Sequence, residues 1–333
     1  MISASTNTDH RLGGAGGTIG GSIVGAIMGV SKYMSPHDAW ARLVWGRVSI
    51  DNPAMARGRR MEPIVTELVG EALGLELRPP IVQTFDWPDD PRFTASIDSE
   101  AFEPDGTLAG IVEIKSASAR KKWGRRPPPD YMLQVQHYMH IRGVEHAWLG
   151  CLQADDGVFT MIGNADAARY AIEMGVAKLH IHDISRDPKY AAEVVPYLTE
   201  WFEKYVVTRE PPPVDDSDGC AAALVRHFGT REGDIEADAE IEELAKQRDE
   251  YDRTAKQATA NRKLCDNQLR SRLEGNRVAK SDSCRVTIST VPGRPRFSQS
   301  AFKADHPELF EEYLVRGHDH DRITVKVFGE GSE

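Results

Sequence analysis

Between residues 81 and 115 the chain carries three short runs rich in β-branched and aromatic residues, IVQTFDW, RFTASID and AGIVEIK. The turn residues EPDG, Glu103 to Gly106, separate the last two, which predicts a hairpin. Helical patterns flank the runs. Before them, Met61, Ile64, Val65, Leu68, Val69 and Ala72 recur at helical spacing within residues 53–73. After them comes a basic, proline-interrupted loop over residues 116–129 and an amphipathic helix over residues 130–142. Short strands enclosed by amphipathic helices bury their apolar faces only as a layered α/β structure, so a mixed central sheet flanked by helices is expected.

The rest of the chain extends this pattern. Residues 18–36 read as a glycine-rich approach, a Ser22 cap and a short apolar helix that stops before Pro36, with a second helix over residues 37–47. Pro63 lacks an N–H, so a kink there or a helix beginning near Glu62 is expected. Strands are expected over residues 146–153 and 158–162, then a helix, a strand near residues 179–184 and a helix over residues 188–206. The proline- and acid-rich REPPPVDDSD, residues 209–218, marks a boundary. Beyond it, residues 235–273 are dense in charge with sparse apolar positions, which suits a long exposed helix or a helical hairpin. The tail is expected to hold short strands, a small helix near residues 306–315 and a final strand over residues 323–327.

Composition narrows the function. A formal net charge of −10 argues against coating nucleic acid by bulk electrostatics, so any such contact is local. The local candidates are Arg57, Arg59 and Arg60, and the cluster Arg120, Lys121, Lys122, Arg125 and Arg126. The four cysteines, Cys151, Cys220, Cys265 and Cys284, form no CxxC pair and no zinc-type spacing, and are read as reduced thiols. No apolar stretch suits a membrane span and the start has no secretory-signal pattern, so the expected address is the cytoplasm, that of a bacterial host if the chain is phage-encoded. No GxxxxGKS loop is present, so no ATP site is expected. The HIHD of residues 180–183 and the HDHD of residues 318–321 read as solvated polar patches rather than ligand sets.

One constellation carries chemistry. In VEIK, Glu113 and Lys115 lie two residues apart and so point to the same face of a strand. Asp98 ends the preceding run, and the hairpin brings it beside them. Phosphodiester hydrolysis near neutral pH calls for a hard divalent cation held by carboxylates and water. Asp98 and Glu113 would hold it, while Lys115 positions or deprotonates the attacking water and counters charge on the phosphate. An isolated Glu-x-Lys is common on solvated sheet faces, so the order of the surrounding segments carries more weight.

That order resembles the YqaJ-type viral recombinase family, relatives of phage lambda exonuclease within the PD-(D/E)XK nuclease superfamily. The segments IGGSIVGAIMGVS, GRRMEPIVTELVG, RFTASID, GIVEIKSAS and YMLQVQHYMHIRG arrive in the family's order, and the likeness covers about residues 18–206. The resemblance implies a restriction-endonuclease-like core over residues 18–208. A flexible 1–17, a 209–220 linker, a charged helical 221–280 and a small α+β tail over 281–333 complete the expected layout. It matches Glu62 to a helix glutamate near the metal, Asp98, Glu113 and Lys115 to the core triad, Gln134 to an active-site residue of the following helix, and Ser22 to a serine that helps bind a 5′ phosphate. Ile97 stands where the family carries proline, and the arginine that assists the 5′-phosphate serine in the family has no clear equivalent, Arg11 lying eleven residues before Ser22. The implied cofactor is Mg²⁺, with Mn²⁺ able to substitute, at a metal site of Asp98, Glu113 and Glu62. The implied activity is 5′ to 3′ degradation of double-stranded DNA from an end, leaving 3′ single strands. A homo-oligomer, in relatives a ring, and a single-strand annealing protein are the implied partners. A structure-specific endonuclease of the same superfamily and a non-catalytic DNA-end-binding or assembly scaffold remain as alternatives.

Overall fold

In the computed structural model the described residues are 17–46, 53–120, 123, 126–229, 232–293, 295–314 and 323–328. They form two compact units that divide between Gly229 and Thr230. Arg11, Lys121, Lys122, Arg125 and the HDHD run lie outside the described residues.

The first unit begins with β1 (Ile19–Gly20) and α1 (Gly21–Ile27), followed by α2 (Pro36–Trp45) and α3 (Pro53–Leu73). Gly20, not Ser22, is the N-cap of α1, and Ser22 falls inside the first turn. Helix α3 runs unbroken through Pro63, so no helix starts at Glu62. Its buried residues Met61, Ile64, Val65, Leu68 and Val69 are those the helical spacing picks out. Next come β2 (Glu76–Arg78), β3 (Phe85–Asp86), β4 (Phe93–Ala95), β5 (Ser99–Phe102) and β6 (Leu108–Ser118). The run RFTASID is therefore not one strand. Phe93–Ala95 joins a small sheet ordered β1-β4-β3, whereas the hairpin partner of β6 is β5, paired antiparallel from Ser99 opposite Val112. Asp98 sits at the bend between the two sheets, just before β5.

Helix α4 (Pro129–Arg142) then crosses to β7 (His146–Ala154), which lies parallel to β6. Residues 158–162 fold into α5 (Asp156–Met161) rather than a strand, and α6 (Ala165–Glu173) and β8 (Ala177–Ser185) follow. A helical run closes the region, with π-helical turns Tyr190–Val194 and Phe202–Val207 on either side of α7 (Val195–Trp201). The main sheet, ordered β2-β5-β6-β7-β8, is mixed in direction. On one face Val112, Ile114 and Leu152 pack with the apolar side of α3 and with α6; on the other, Ile111, Ala147 and Leu149 pack with α1, α4 and α7.

The proline-rich 209–218 segment is fastened to this unit: Pro212 O meets His37 Nδ1 at 3.1 Å. Beyond it α8 (Asp218–Phe228) packs on α2, where Trp45 and His227 stack with centroids 3.5 Å apart. In the second unit, α9 (Ala239–Leu273) is one continuous helix capped by Asp238, with Leu273 its buried residue. Arg248–Asp252 and Arg262–Asp266 pairs line its exposed surface. The hairpin of β9 (Val278–Lys280) and β10 (Arg285–Thr287) and the helices α10 (Gln299–Asp305) and α11 (Pro307–Glu312) complete it. The described residues 323–328 have no regular structure, where a strand was expected. Among the described residues no helix is long and apolar enough to cross a membrane.

One buried side chain ties the small sheet to α4. His137 is 1% exposed; its Nε2 lies 3.2 Å from Ile19 O and 3.1 Å from Thr94 O, and its Nδ1 lies 2.7 Å from the Tyr190 hydroxyl. Carbonyls only accept, so Nε2 carries the proton and Nδ1 accepts from Tyr190. Burial pushes the imidazole pKa down from 6.5 to about 4, so the unfolded chain binds a proton that the native state refuses between those values. This contribution to stability is whole above about pH 6.5 and is lost as pH falls toward 4, on the order of 3 kcal/mol in all. Denaturant titrations of the native protein and His137→Gln should show the variant weaker at pH 7 but less acid-sensitive. An equal loss of stability on acidification in both would contradict this assignment.

Candidate active site

Strand β6 supplies the centre. Glu113 and Lys115 project from it toward α4, and the Lys115 Nζ donates to Glu113 Oε1. One step beyond the Ser99–Val112 pair, Asp98 comes opposite Glu113, where β5 has ended and the next β6 amide lacks a strand partner. The Asp98 carboxylate takes that amide: Ile114 N–H donates to its Oδ2 at 2.7 Å. Gln134, on the buried face of α4, donates from Nε2 to Glu113 Oε1 at 2.7 Å and to the Tyr138 hydroxyl oxygen at 3.0 Å. Glu113 is thus gripped through one oxygen only. Its Oε2 is buried without a hydrogen-bond partner.

The electrostatics reflect this crowding. Burial, and then the neighbouring Asp98, pushes Glu113 up to about 8 against the pull of Lys115. Burial works against the Lys115 ammonium, but Glu113 and Asp98 outweigh it and raise its pKa above the ordinary value. Glu62 reaches the same field from α3, on the other face of the sheet. Shielding from solvent and then Asp98 raise its carboxyl, while Lys115 lowers it. Among the described residues no group of three or more His, Cys, Asp or Glu side chains is gathered closely enough to hold a metal ion as it stands. A hard cation such as Mg²⁺ needs only one or two carboxylates and keeps several waters. The orphaned Glu113 oxygen beside Asp98 fits that need.

Two glycines set the distance between α1 and this centre. A Cβ on Gly21 would lie 2.4 Å from the Tyr138 ring and 3.0 Å from Gln134 Cγ, and one on Gly25 would lie 2.9 Å from Asp130 Cβ. The glycine-rich stretch therefore lets α1 press against α4 behind Gln134. Ser22 is exposed beside that contact.

The basic candidates divide. Arg57 pairs with Asp156 at 2.7 Å and lies over the Phe159 ring, and Arg60 donates to Phe159 O at 2.7 Å, so both fasten α3 to α5. Arg59, Arg120 and Arg126 are exposed. Gln136 does not join Gln134: its amide donates to Ser185 O at 2.8 Å and accepts from Asp187 N at 2.8 Å, tying α4 to the end of β8. Sequence reading passed over Tyr131 and Tyr138. Together with Gln134 they fall at i, i+3 and i+7 of one helix face, and that spacing was the available signal. Tyr131 lies with its ring centroid 5.3 Å from Lys115 Nζ.

These placements separate site from scaffold. Gln134→Ala should cost about 1–3 kcal/mol of stability by stripping the buried Glu113 of one of its two partners, whereas Gln136→Ala, whose partners Ser185 O and Asp187 N belong to exposed residues that water reaches, should cost less. Gly21→Ala should cost about 1–3 kcal/mol through overpacking, while Gly58→Ala, with nothing near its Cβ, should be neutral or stabilise by up to about 1 kcal/mol. Thermal melts of the four variants check both contrasts, and equal losses within either pair would contradict the placement.

Residues 9–145 match the family model described as the YqaJ-like viral recombinase domain. Among solved structures, the alkaline exonuclease LHK-Exo from Laribacter hongkongensis is 23% identical, covers 58% of this chain and 90% of its own, and superposes with a TM-score of 0.43. A phage-related exonuclease from Haemophilus somnus 129PT is 14% identical over 58% of this chain and 97% of its own, with a TM-score of 0.38. No curated protein matches the chain. Glu62, Asp98, Glu113, Lys115 and Gln134 all fall within the part of the chain that matches the YqaJ-like viral recombinase domain.

Proposed function

We propose that this protein is a divalent-metal-dependent deoxyribonuclease on a PD-(D/E)XK-type core, degrading double-stranded DNA from an end in the 5′ to 3′ direction and leaving 3′ single strands for phage-type recombination. The observation that carries the reading is the buried Glu113 carboxylate, with one oxygen unpartnered, converging with Asp98, Lys115 and Gln134. The match to a YqaJ-like viral recombinase domain supports it.

Asp98 and Glu113 are the residues that would hold Mg²⁺ or Mn²⁺, with Glu62 facing the same field from α3. The ion would polarise the phosphate and activate water. Lys115, kept charged by its two carboxylate neighbours, counters the charge that grows on the phosphate and orients the attacking water, rather than serving as a base. Gln134, braced by Tyr138, holds the Glu113 carboxylate in orientation. Ser22 would receive the 5′ phosphate, and Arg59, Arg126, Lys121, Lys122 and Arg125 would meet the DNA backbone. A homo-oligomer and a single-strand annealing protein fit the same reading.

The test is release of nucleotides from a linear duplex with 5′-phosphate ends, in Mg²⁺ or in EDTA. Release should require the metal and fall about 100-fold or more in Lys115→Ala. A covalently closed circle should survive. Cleavage of the circle would favour a structure-specific endonuclease, and no release by folded native protein, even with manganese, would favour a binding scaffold.

A further inference from the structure

The sheet face that carries Glu113 and Lys115 continues past them to the edge strand. Register places Lys115 beside Cys151 and Cys151 beside His180; in the next row stand Glu113, Leu149 and His182. Side chains in one row share a face, so both histidines of the HIHD run lie on the side of the candidate active site. Trp123 covers them. Its ring centroid is 6.1 Å from His180, 6.1 Å from His182 and 5.7 Å from Tyr131. Tyr131 in turn neighbours the Lys115 ammonium. A half-buried aromatic row thus leads away from Lys115.

The row is fixed in place. Trp123 Nε1–H donates to His182 Nε2 at 2.9 Å, and His180 Nε2 donates to Gln153 Oε1 at 3.1 Å. Burial lowers the pKa of both rings, with Lys178 and His182 adding to the effect on His180. The rings around Trp123 are tilted by 36°, 47° and 40°, and none lies parallel to it. By contrast, the planes of Trp45 and His227 differ by only 6°. Among the described residues no aromatic ring stacks parallel on the Trp123 indole, and two exposed cations flank the row: Arg126, three residues after Trp123, and Lys178, two residues before His180 on β8.

We infer that this row is a track for single-stranded polynucleotide, in which bases next to the phosphate held at Lys115 stack on Tyr131 and Trp123 while Lys178 and Arg126 meet the backbone. Aromatic platforms flanked by cations bind single strands without sequence preference, because every base has a π-face. The inference deepens the nuclease reading and rests on it for which strand enters.

The test uses the full chain in EDTA, where no hydrolysis interferes, with oligothymidylate as probe. Trp123→Ala should weaken binding about tenfold, and Trp123→Phe, which keeps a stacking ring, by less than about threefold. Unchanged affinity in Trp123→Ala would overturn the inference. So would equal losses in both variants, because then the bond to His182 is what matters. Should the alanine variant melt early, quenching of indole fluorescence by the probe decides. Quenching diminished in Trp123→Phe supports the track, and quenching equal to the native protein's overturns it. Hydrolysis of linear duplex in Mg²⁺, assayed separately, reports on the nuclease reading alone.

Discussion

Removing a carboxylate from water costs several kcal/mol unless opposite charge and hydrogen bonds replace the lost hydration. Glu113 is 3% exposed and receives that compensation on one oxygen only, from Lys115 and Gln134. Much of the first unit can be understood as the means of keeping it there. Strand β6 holds Glu113 and Lys115 on one face; the end of β5 leaves the Ile114 amide for Asp98; α4 carries Gln134 and its brace, Tyr138. Behind α4, Gly21 and Gly25 admit α1, and His137 ties α4 to the small sheet. A site that gathers carboxylates in a dry setting is poised for a cation.

The sequence exposed the chemistry better than the geometry around it. Glu113 and Lys115 were legible because a period of two on a strand admits one arrangement, and Asp98 because the EPDG turn closes the hairpin. The break inside RFTASID was not legible: Phe93, Thr94 and Ala95 are all buried in the small sheet, and nothing local says that the chain changes sheets before Ser99. Residues 158–162 look like a strand by composition yet form a helix, anchored by the buried Phe159 under Arg57. Tertiary packing overrode local preference there. Likewise a glycine-rich helix entry suggests a phosphate or a turn, and only the approach of α4 reveals its use.

Gln134 and Gln136 illustrate the limit most clearly. They stand two residues apart, about 200° around the helix, so one faces Glu113 and the other faces the end of β8. Residue type cannot distinguish them; only the sheet does. The same applies to the arginines. Arg57 and Arg60 match the composition of a DNA-binding cluster, but their partners are Asp156 and Phe159 O within the fold. A charge count therefore overstates the surface available to DNA.

The proposed chemistry requires that the unpartnered oxygen of Glu113 accept a divalent cation. Isothermal titration of Mn²⁺ into the native protein, Glu113→Gln and Asp98→Asn, in the absence of DNA, tests this without relying on activity. The native protein should bind the ion, and either folded variant should bind it at least about tenfold more weakly. Native protein that takes up no Mn²⁺, or a Glu113→Gln variant that binds it equally well, would contradict the account.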